Sequence, residues 1–511
     1  MAETVTLGSI ANLKTGPFGT QFSASEYSAT GTPIINVKSI GHGVVLRDDL
    51  DYVPDSVRDR LAAHTLVEGD IVFARKGSVD RHAYVSADEA GWIQGSDCIR
   101  VQCKHGVNSR FISHWLKLDA VKEQVNNSAV GSTMASLNTD ILAGIHVRLP
   151  DPETQNAVAA FLSRVEDQVA LNTQVNDNLQ AMLQTLYGYW FLQFDFPDEN
   201  GRPYRASGGR MVWNDQLKRE IPAGWRAVTL RELLKKNRKA FDYGTVEPTI
   251  DLSVMPTGSI ALNNLSRSDA FSSNLYQMSE GDILFGAIRP YLKKAGIAPC
   301  NGVVAGTVHS FSPVRVDDYN FALATITSEQ MFSHAVRSST GTRMPTVKAD
   351  DLLDVVVAYS ESVATAFNQI PVARSIIERV QESSRLGELR DWLLPMLMNG
   401  QATVASSDKL SFCVDHTTIH PADNAQHKEQ FDAMLYLLTE SPRINLRGCM
   451  RTSSSRLTER RRKVRWCIDS SDQNDDPLAK SHFVVLPSEI RSRAHTPTHC
   501  SHVSIAASTL S

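Results

Sequence analysis

At 511 residues the chain exceeds what one hydrophobic core organises, so two or more domains are expected. Hydrophobic residues at 42% and charged residues at 21% are ordinary globular proportions and exclude a wholly disordered or fibrous chain. A formal net charge of -4 excludes a globally basic nucleic-acid binder, leaving only a local concentration of Lys and Arg as a possible DNA surface.

Seven cysteines, an odd number with no Cys-x-x-Cys pair, read as reduced thiols of a cytoplasmic protein. The start, Met-Ala-Glu-Thr-Val-Thr, has no basic region followed by an apolar core, and no later apolar run approaches the roughly 20 residues of a membrane span. A soluble, intracellular chain with no membrane partner is the expectation.

Along the chain the first signal is duplication at a period near 210 residues. Val5-Thr6-Leu7 returns as Val228-Thr229-Leu230, Glu68-Gly69-Asp70-Ile71 as Glu280-Gly281-Asp282-Ile283, and Gly131-Ser132-Thr133-Met134 as Gly341-Thr342-Arg343-Met344, at offsets of 223, 212 and 210. Preserved order with a shrinking offset describes one scaffold whose first copy carries longer loops. Each copy mixes short β-rich runs, such as 33–37 and 282–285, with Gly-rich turns and a helical stretch, Ser109 to Val125 in the first.

Each copy ends in a strand-like run, 145–149 or 355–357, followed by a long helix. In the first helix Val158, Leu162, Val165, Val169, Asn172, Asn176, Leu179, Leu183, Leu186 and Trp190 step by fours and threes, a heptad seam that requires a partner helix. In the second, Leu389, Leu393 and Met396 fall 210 residues after Leu179, Leu183 and Leu186, while Pro371 and Gly387 predict a break or kink. Asn172 and Asn176 on the seam fix register or sit at a wet edge. The Gly- and Pro-containing stretch between helix one and copy two reads as too polar for a core segment.

The expected architecture is α+β: two similar α/β domains, each followed by a long helix. The boundaries are 1–150 for the first domain, 151–194 for the first helix, 195–226 for the connector, 227–360 for the second domain, 361–400 for the second helix, and 401–511 for a largely disordered tail.

The connector brings a resemblance. Trp190-Phe191-Leu192-Gln193-Phe194-Asp195-Phe196-Pro197-Asp198-Glu199-Asn200-Gly201-Arg202-Pro203-Tyr204, Ser207-Gly208-Gly209-Arg210-Met211-Val212 and Ile221-Pro222-Ala223-Gly224-Trp225 resemble the central region of the specificity subunits of type I restriction-modification enzymes. Leu393-Leu394-Pro395-Met396-Leu397-Met398-Asn399-Gly400 resembles that family's terminal region, and the likeness runs from about Val5 to Val404. It implies two similar α/β target recognition domains, each reading half of a bipartite DNA sequence, separated by the two long helices pairing as an antiparallel coiled coil. The implied partners are double-stranded DNA, methyltransferase (modification) subunits and restriction/translocase subunits. The implied cofactors, S-adenosylmethionine, ATP and Mg, belong to those partners and none to this chain. Because the copies differ in sequence, the two half-sites differ and the target is asymmetric.

Catalytic motifs are missing from the sequence. The dipeptide Gly-Lys never occurs, so there is no P-loop, and Gly41-His42-Gly43 is followed by Leu46 where a dinucleotide fingerprint needs Gly. No Asn-Pro-Pro-aromatic run of an adenine methyltransferase is present. Cys413-x2-His416-x3-His420 lacks a second ligand pair, and His64, His82 and His105 have no nucleophile signature beside them, so no catalytic or metal residue is assigned.

Binding DNA requires cations for phosphates and planar polar groups for base edges. The candidates in copy one are Arg75, Lys76 and Arg81 after the Gly-Asp-Ile strand, with His82 alongside, then Lys14, Thr15 and Gln21 around the Gly16-Pro17-Phe18-Gly19 turn, Lys38, and Thr133 and Asn138 of a later loop. Copy two offers Arg289, Tyr291, Lys293 and Lys294 at the first of these places and Arg343, Thr346 and Lys348 at the last. In the tail, only 430–440 has a helical pattern, and Arg460 to Arg465 form a basic cluster. The competing reading is a non-enzymatic coiled-coil scaffold whose globular ends bind proteins.

Overall fold

The structure, a computed structural model, describes residues 3–17, 21–129, 135–271 and 274–404, together with the backbone of 409–415 and 463–469.

The first module runs β1 (Glu3–Thr6), α1 (Leu7–Ile10), β2 (Ala11–Thr15), β3 (Thr32–Ile35), β4 (Asp51–Val53), α2 (Asp55–Arg60), β5 (Ile71–Ala74), β6 (His82–Tyr84), β7 (Ile93–Gln94), β8 (Cys98–Cys103), α3 (Ser109–Trp115), α4 (Asp119–Ser128), α5 (Thr139–Ala143) and β9 (His146–Leu149). An antiparallel sheet has the order β2-β8-β5-β6, and a second sheet, β4-β3-β7, joins β3 and β7 in parallel. The terminal strands close the module on itself, with Val5 opposite Val147. Between the larger sheet and its helices, Phe73, Ile99, Val101, Phe111 and Ile112 are buried, as the alternation of the strands and the apolar face of α3 dictate. The single helix read over Ser109 to Val125 is two: Leu118 turns extended (φ -61°, ψ 135°) and Asp119 opens a new first turn. An apolar face continues across the break, and periodicity alone does not register it.

A 36-residue helix, α6 (Pro152–Tyr187), follows. Asp151 caps its start by accepting the Thr154 N–H at 2.9 Å, with Pro152 in the first turn where a missing N–H costs nothing. A π-helical turn at Gly188–Leu192 ends it, and a hairpin of β10 (Met211–Asn214) and β11 (Arg219–Pro222) leads to the second module.

That module comprises β12 (Arg226–Thr229), α7 (Leu230–Leu233), β13 (Leu234–Asn237), β14 (Pro248–Ile250), β15 (Ser266–Arg267), β16 (Leu275–Met278), β17 (Ile283–Gly286), β18 (Ala295–Ile297), β19 (Gly302–Ala305), β20 (Val308–Pro313), α8 (Tyr319–Ile326), α9 (Glu329–Ser338), α10 (Ala349–Leu353) and β21 (Val356–Tyr359). The plan repeats in outline, although α2 of the first module gives way to β16, which makes the second sheet four-stranded, β15-β14-β19-β16. The order β13-β20-β17-β18 matches β2-β8-β5-β6, β14 and β19 pair in parallel as β3 and β7 do, and Val228 faces Val357 as Val5 faces Val147.

Then come α11 (Glu361–Asn368) and α12 (Val372–Met398). The break falls at Pro371, which lacks the N–H a continuing helix would use. Gly387 continues inside α12 without interruption, because one glycine costs only about 1 kcal/mol in a helix otherwise held by packing. β22 (Ala402–Val404), β23 (Lys409–Asp415) and β24 (Lys463–Asp469) form a three-stranded antiparallel sheet, all of it within the 401–511 stretch read as a largely disordered tail. The helical pattern at 430–440, the basic residues 460–462, and positions 416 and 420 lie outside the described residues.

α6 and α12 pack antiparallel. Val158, Leu162 and Val165 near the start of α6 share a core with Leu393, Leu394 and Leu397 near the end of α12, whereas Leu183 and Tyr187 share the other core with Val372, Ile376 and Val380. Leu183 and Leu393, equivalent by the 210-residue offset, thus sit in opposite modules, each 1% exposed. The connector is part of the second core rather than a polar spacer. Phe191 packs on Phe321 at 4.6 Å and on Phe367 at 5.3 Å, and Phe194 and Phe196 pack on Trp225. Mean polarity over a window conceals aromatics spaced to turn one side inward.

On the rod, buried Asn172 donates from Nδ2 to Glu382 at 3.1 Å and to Ser383 at 3.2 Å, while the Oδ1 of equally buried Asn176 accepts no hydrogen bond among the described residues. A buried amide without a partner costs about 1–3 kcal/mol. Asn176→Leu is expected to raise, and Asn172→Leu to lower, the denaturant midpoint by chemical unfolding, since the second change leaves Glu382 without its donor.

Candidate nucleic-acid interface

The repeated Gly-Asp-Ile element is a scaffold. Gly69 (φ +89°) and Gly281 (φ +84°) occupy the left-handed region that favours glycine. The following aspartates, both buried, fold back to accept the N–H three residues upstream: Asp70 from Val67 and Asp282 from Ser279, each at 3.0 Å. Burial pushes both carboxyls above their usual range. The shared turn launches β5 and β17 in the same direction, so the loops after them occupy equivalent places.

Each of these loops is stitched to the one that precedes the module's last short helix. In the first module Gly77 N–H donates to the Ala135 carbonyl (3.0 Å) and Leu137 N–H to the Arg75 carbonyl (2.9 Å). In the second, Arg289 N–H donates to the Pro345 carbonyl (2.7 Å) and Val347 N–H to the Ala287 carbonyl (2.9 Å). Arg75, Lys76 and Asn138 are thereby gathered in one place, and Arg289, Arg343, Thr346 and Lys348 in the other. Backbone pairing makes each a rigid two-loop tip on a sheet, the arrangement that lets side chains reach groove edges without a large ordering cost.

Within the tips the side chains differ. Arg289, Tyr291, Arg343 and Lys348 are exposed. Arg289 and Lys293 both sit at positive φ, 52° and 49°, flanking the Pro290–Leu292 turn. Lys293 pairs with Glu329 at 2.8 Å, Lys294 donates to the Leu252 carbonyl, and the Thr346 hydroxyl donates to the Met344 carbonyl at 3.0 Å. In the first module Lys76 pairs with Asp97 at 2.9 Å, Arg81 is half-buried, and Asn138 caps α5 by accepting the Ile141 N–H at 2.8 Å. Thr133 and the Phe18-Gly19 part of the turn lie outside the described residues.

The other candidates are not part of the stitched loop pairs, although Thr15 ends β2 beside the 97–99 segment that also bonds Arg75 and Lys76. Lys14 on β2 donates to the Ala63 carbonyl at 2.7 Å, and neighbouring Thr15 is half-buried on the same strand. The Gln21 carbonyl accepts from Arg60 at 3.3 Å. Lys38 is held between Asp49 at 2.9 Å and Asp51 at 3.0 Å, hydrogen bonds that raise its pKa. Sequence reasoning passed over the run Lys235-Lys236-Asn237-Arg238-Lys239 on and after β13, although four cations in five positions is a legible signal.

His64, His82 and His114 are buried, whereas His105 is exposed. His82 lies on β6, wholly buried, with Nε2 3.0 Å from the Ser113 carbonyl oxygen, and burial drives its pKa down to about 3. Burial, aided by Lys117, takes His114 to about 2. His114 belongs to a buried cluster in which Glu166 of α6 meets Lys117, His114 (3.7 Å) and Arg110 (3.9 Å), tying α3 to the rod. Among the described residues no group of three or more His, Cys, Asp or Glu could hold a metal ion, and no helix is long and apolar enough to cross a membrane. Cys98, Cys103 and Cys300 are free thiols.

Two like modules, each offering a stitched pair of loops from the ends of one antiparallel rod, define a two-headed recognition subunit. Residues 2–181 match the family model described as the type I restriction modification DNA specificity domain. The MjaIX type I restriction enzyme specificity subunit of Methanocaldococcus jannaschii is 24% identical over 318 residues, 59% of this chain and 71% of that one. The EcoDI specificity subunit of Escherichia coli is 22% identical over 53% of this chain and 61% of that one, and the HindI subunit of Haemophilus influenzae 32% identical over 19% and 20%. A crystal structure of a type I restriction-modification system S subunit from M. genitalium aligns with 78% of this chain and 96% of that one at 14% identity and a TM-score of 0.46. The chain belongs to the type I restriction-modification specificity-subunit family.

Unfolding frees the two buried rings to protonate near the ordinary 6.5, whereas folded His82 and His114 take protons only near 3 and 2. Their contribution to stability is complete above pH 6.5 and is lost as the pH falls below it, by up to about 1.4 kcal/mol per pH unit for each ring. Denaturant titrations at stepped pH check this, and His82→Gln is expected to remove one ring's share of the slope.

Proposed function

We propose that this chain is the sequence-reading subunit of a type I restriction-modification complex, binding a bipartite, asymmetric DNA target and directing methyltransferase and restriction/translocase subunits to it. The observation that carries the reading is the duplicated loop pair: 75–81 stitched to 135–138, and 287–294 stitched to 343–348. Similar backbone plans with different side chains suit two readers of unlike half-sites, and a rigid rod between them suits a fixed gap, the logic by which dimeric repressors sample half-sites at set spacing. Chemistry is left to the partner subunits, which hold S-adenosylmethionine, ATP and Mg, and the complex works in the cytoplasm. Exposed Arg289, Arg343 and Lys348 and half-buried Arg75 suit base or phosphate contacts.

Mapping methylated adenines by long-read sequencing tests the reading. A split motif is expected, and it disappears when the gene is deleted; an unchanged methylome would instead favour a scaffold that binds proteins. Exchanging residues 1–150 for another reader is expected to change one half-site and leave the other.

The gap is open to a further test. Because α6 lies against α12, lengthening either helix alone opposes a longer seam to a shorter one, so a heptad is added to both. At 1.5 Å per residue the rod grows by about 10 Å, and the half-sites are expected to separate by about 3 base pairs with their sequences intact.

A further inference from the structure

Both modules pair some of their cations with carboxylates and leave others outside any ion pair among the described residues. In the first, the basic side chains nearest the second sheet are taken up by carboxylates: Lys38 by Asp49 and Asp51, Arg47 by Asp88 and Glu89, and Arg60 by Glu26. In the second, Lys235, Lys236, Arg238 and Lys239 enter no ion pair among the described residues. Strand geometry divides this run between two faces. Asn237 hydrogen-bonds Ser312 at 3.2 Å and Ser310 at 3.4 Å on one face, so Lys236 and Arg238 lie on the other.

That face leads to the loop tip. Lys236 is opposite Phe311 on β20, and His309, two residues away on the same side, places its Nε2 2.9 Å from the Val347 carbonyl oxygen, next to Lys348. Val347 is itself bonded to Ala287 at 2.9 Å, ahead of Arg289. Burial is the main cause lowering the His309 pKa, and the charges of Lys236 and Arg238 lower it further. Asp350, near Lys236, is already bound by Arg231 at 3.1 Å. Arg238 is pre-oriented, donating to the Tyr276 hydroxyl at 3.1 Å with its guanidinium 4.8 Å from the ring centroid. Cations outside any ion pair among the described residues, next to a loop tip, suit a polyanion, since each phosphate neutralised releases condensed counterions.

We propose that Lys236 on β13 and Arg238 just after it form a phosphate clamp that supplies part of the salt-dependent DNA affinity of the second module. The inference rests on the DNA-reading function proposed above and names where part of its phosphate binding sits.

The experiment uses the full chain with its methyltransferase subunits on a duplex bearing the mapped target and on an unrelated duplex, with affinity measured by fluorescence anisotropy from about 50 to 200 mM salt. For Lys236→Gln/Arg238→Gln, the slope of log affinity against log salt is expected to become shallower by about 1.8, at about 0.9 for each phosphate no longer neutralised, on both duplexes, with the methylated motif unchanged. The charge-preserving Lys236→Arg/Arg238→Lys is expected to keep the wild-type slope, which separates loss of charge from damage to the fold. A wild-type slope in the Gln variant, or a slope lost equally in the charge-preserving variant, overturns the clamp. A wild-type complex that binds neither duplex refutes the DNA-reading function instead.

Discussion

The pairing of α6 with α12 is the constraint on which the rest depends. Each helix is apolar along its seam, and neither buries that seam alone. Antiparallel packing solves the problem for both and gives each module a share of both helices. The start of α6 and the end of α12 complete the first core; the end of α6, the aromatic string of the connector, α11 and the start of α12 complete the second. The rod is therefore continuous with both cores, and the Glu166 cluster in one module and the Phe191 cluster in the other fix how each head sits on it. A fixed angle between the heads is what makes a fixed spacing between half-sites physically meaningful.

Much of this was legible in the chain. The heptad seam of α6, the repeated landmarks and the break at Pro371 all leave marks of composition or period that survive in a single sequence, and the strands that begin and end each module fall where Val5, Val228 and the runs near 147 and 357 placed them. The connector did not read as buried, because its aromatics are diluted by Asp, Asn, Gly and Arg and become a core only against α8 and α11, elements more than a hundred residues away. The division of α3 from α4 at Leu118 was hidden for a related reason, since a kink that keeps one apolar face leaves periodicity intact.

The interface was legible in its location and less so in its chemistry. The charged loops after the Gly-Asp-Ile strands were found because the motif marks them, but which cations are already taken by carboxylates is a matter of three-dimensional neighbours. Lys38 looks free in sequence and sits between two aspartates 11 and 13 residues away. Asn138 looks like a base reader and is also a helix cap. Lys236 and Arg238 stand in a plain basic run on a strand that no repeated motif marks, and only the neighbouring strand and loop tip give that run a direction.

The way the chain interleaves bears on its birth. Leu386 to Ala402 belong to the core that also holds Leu7, Phe73 and Phe111, so the head made first by the ribosome lacks part of its interior until nearly four hundred residues have been joined. Contacts of such long separation form late and leave apolar surface waiting meanwhile. The amino-terminal head therefore stands unfinished throughout synthesis of the other, and whatever shields it in that interval is as necessary to the mature reader as the rod itself.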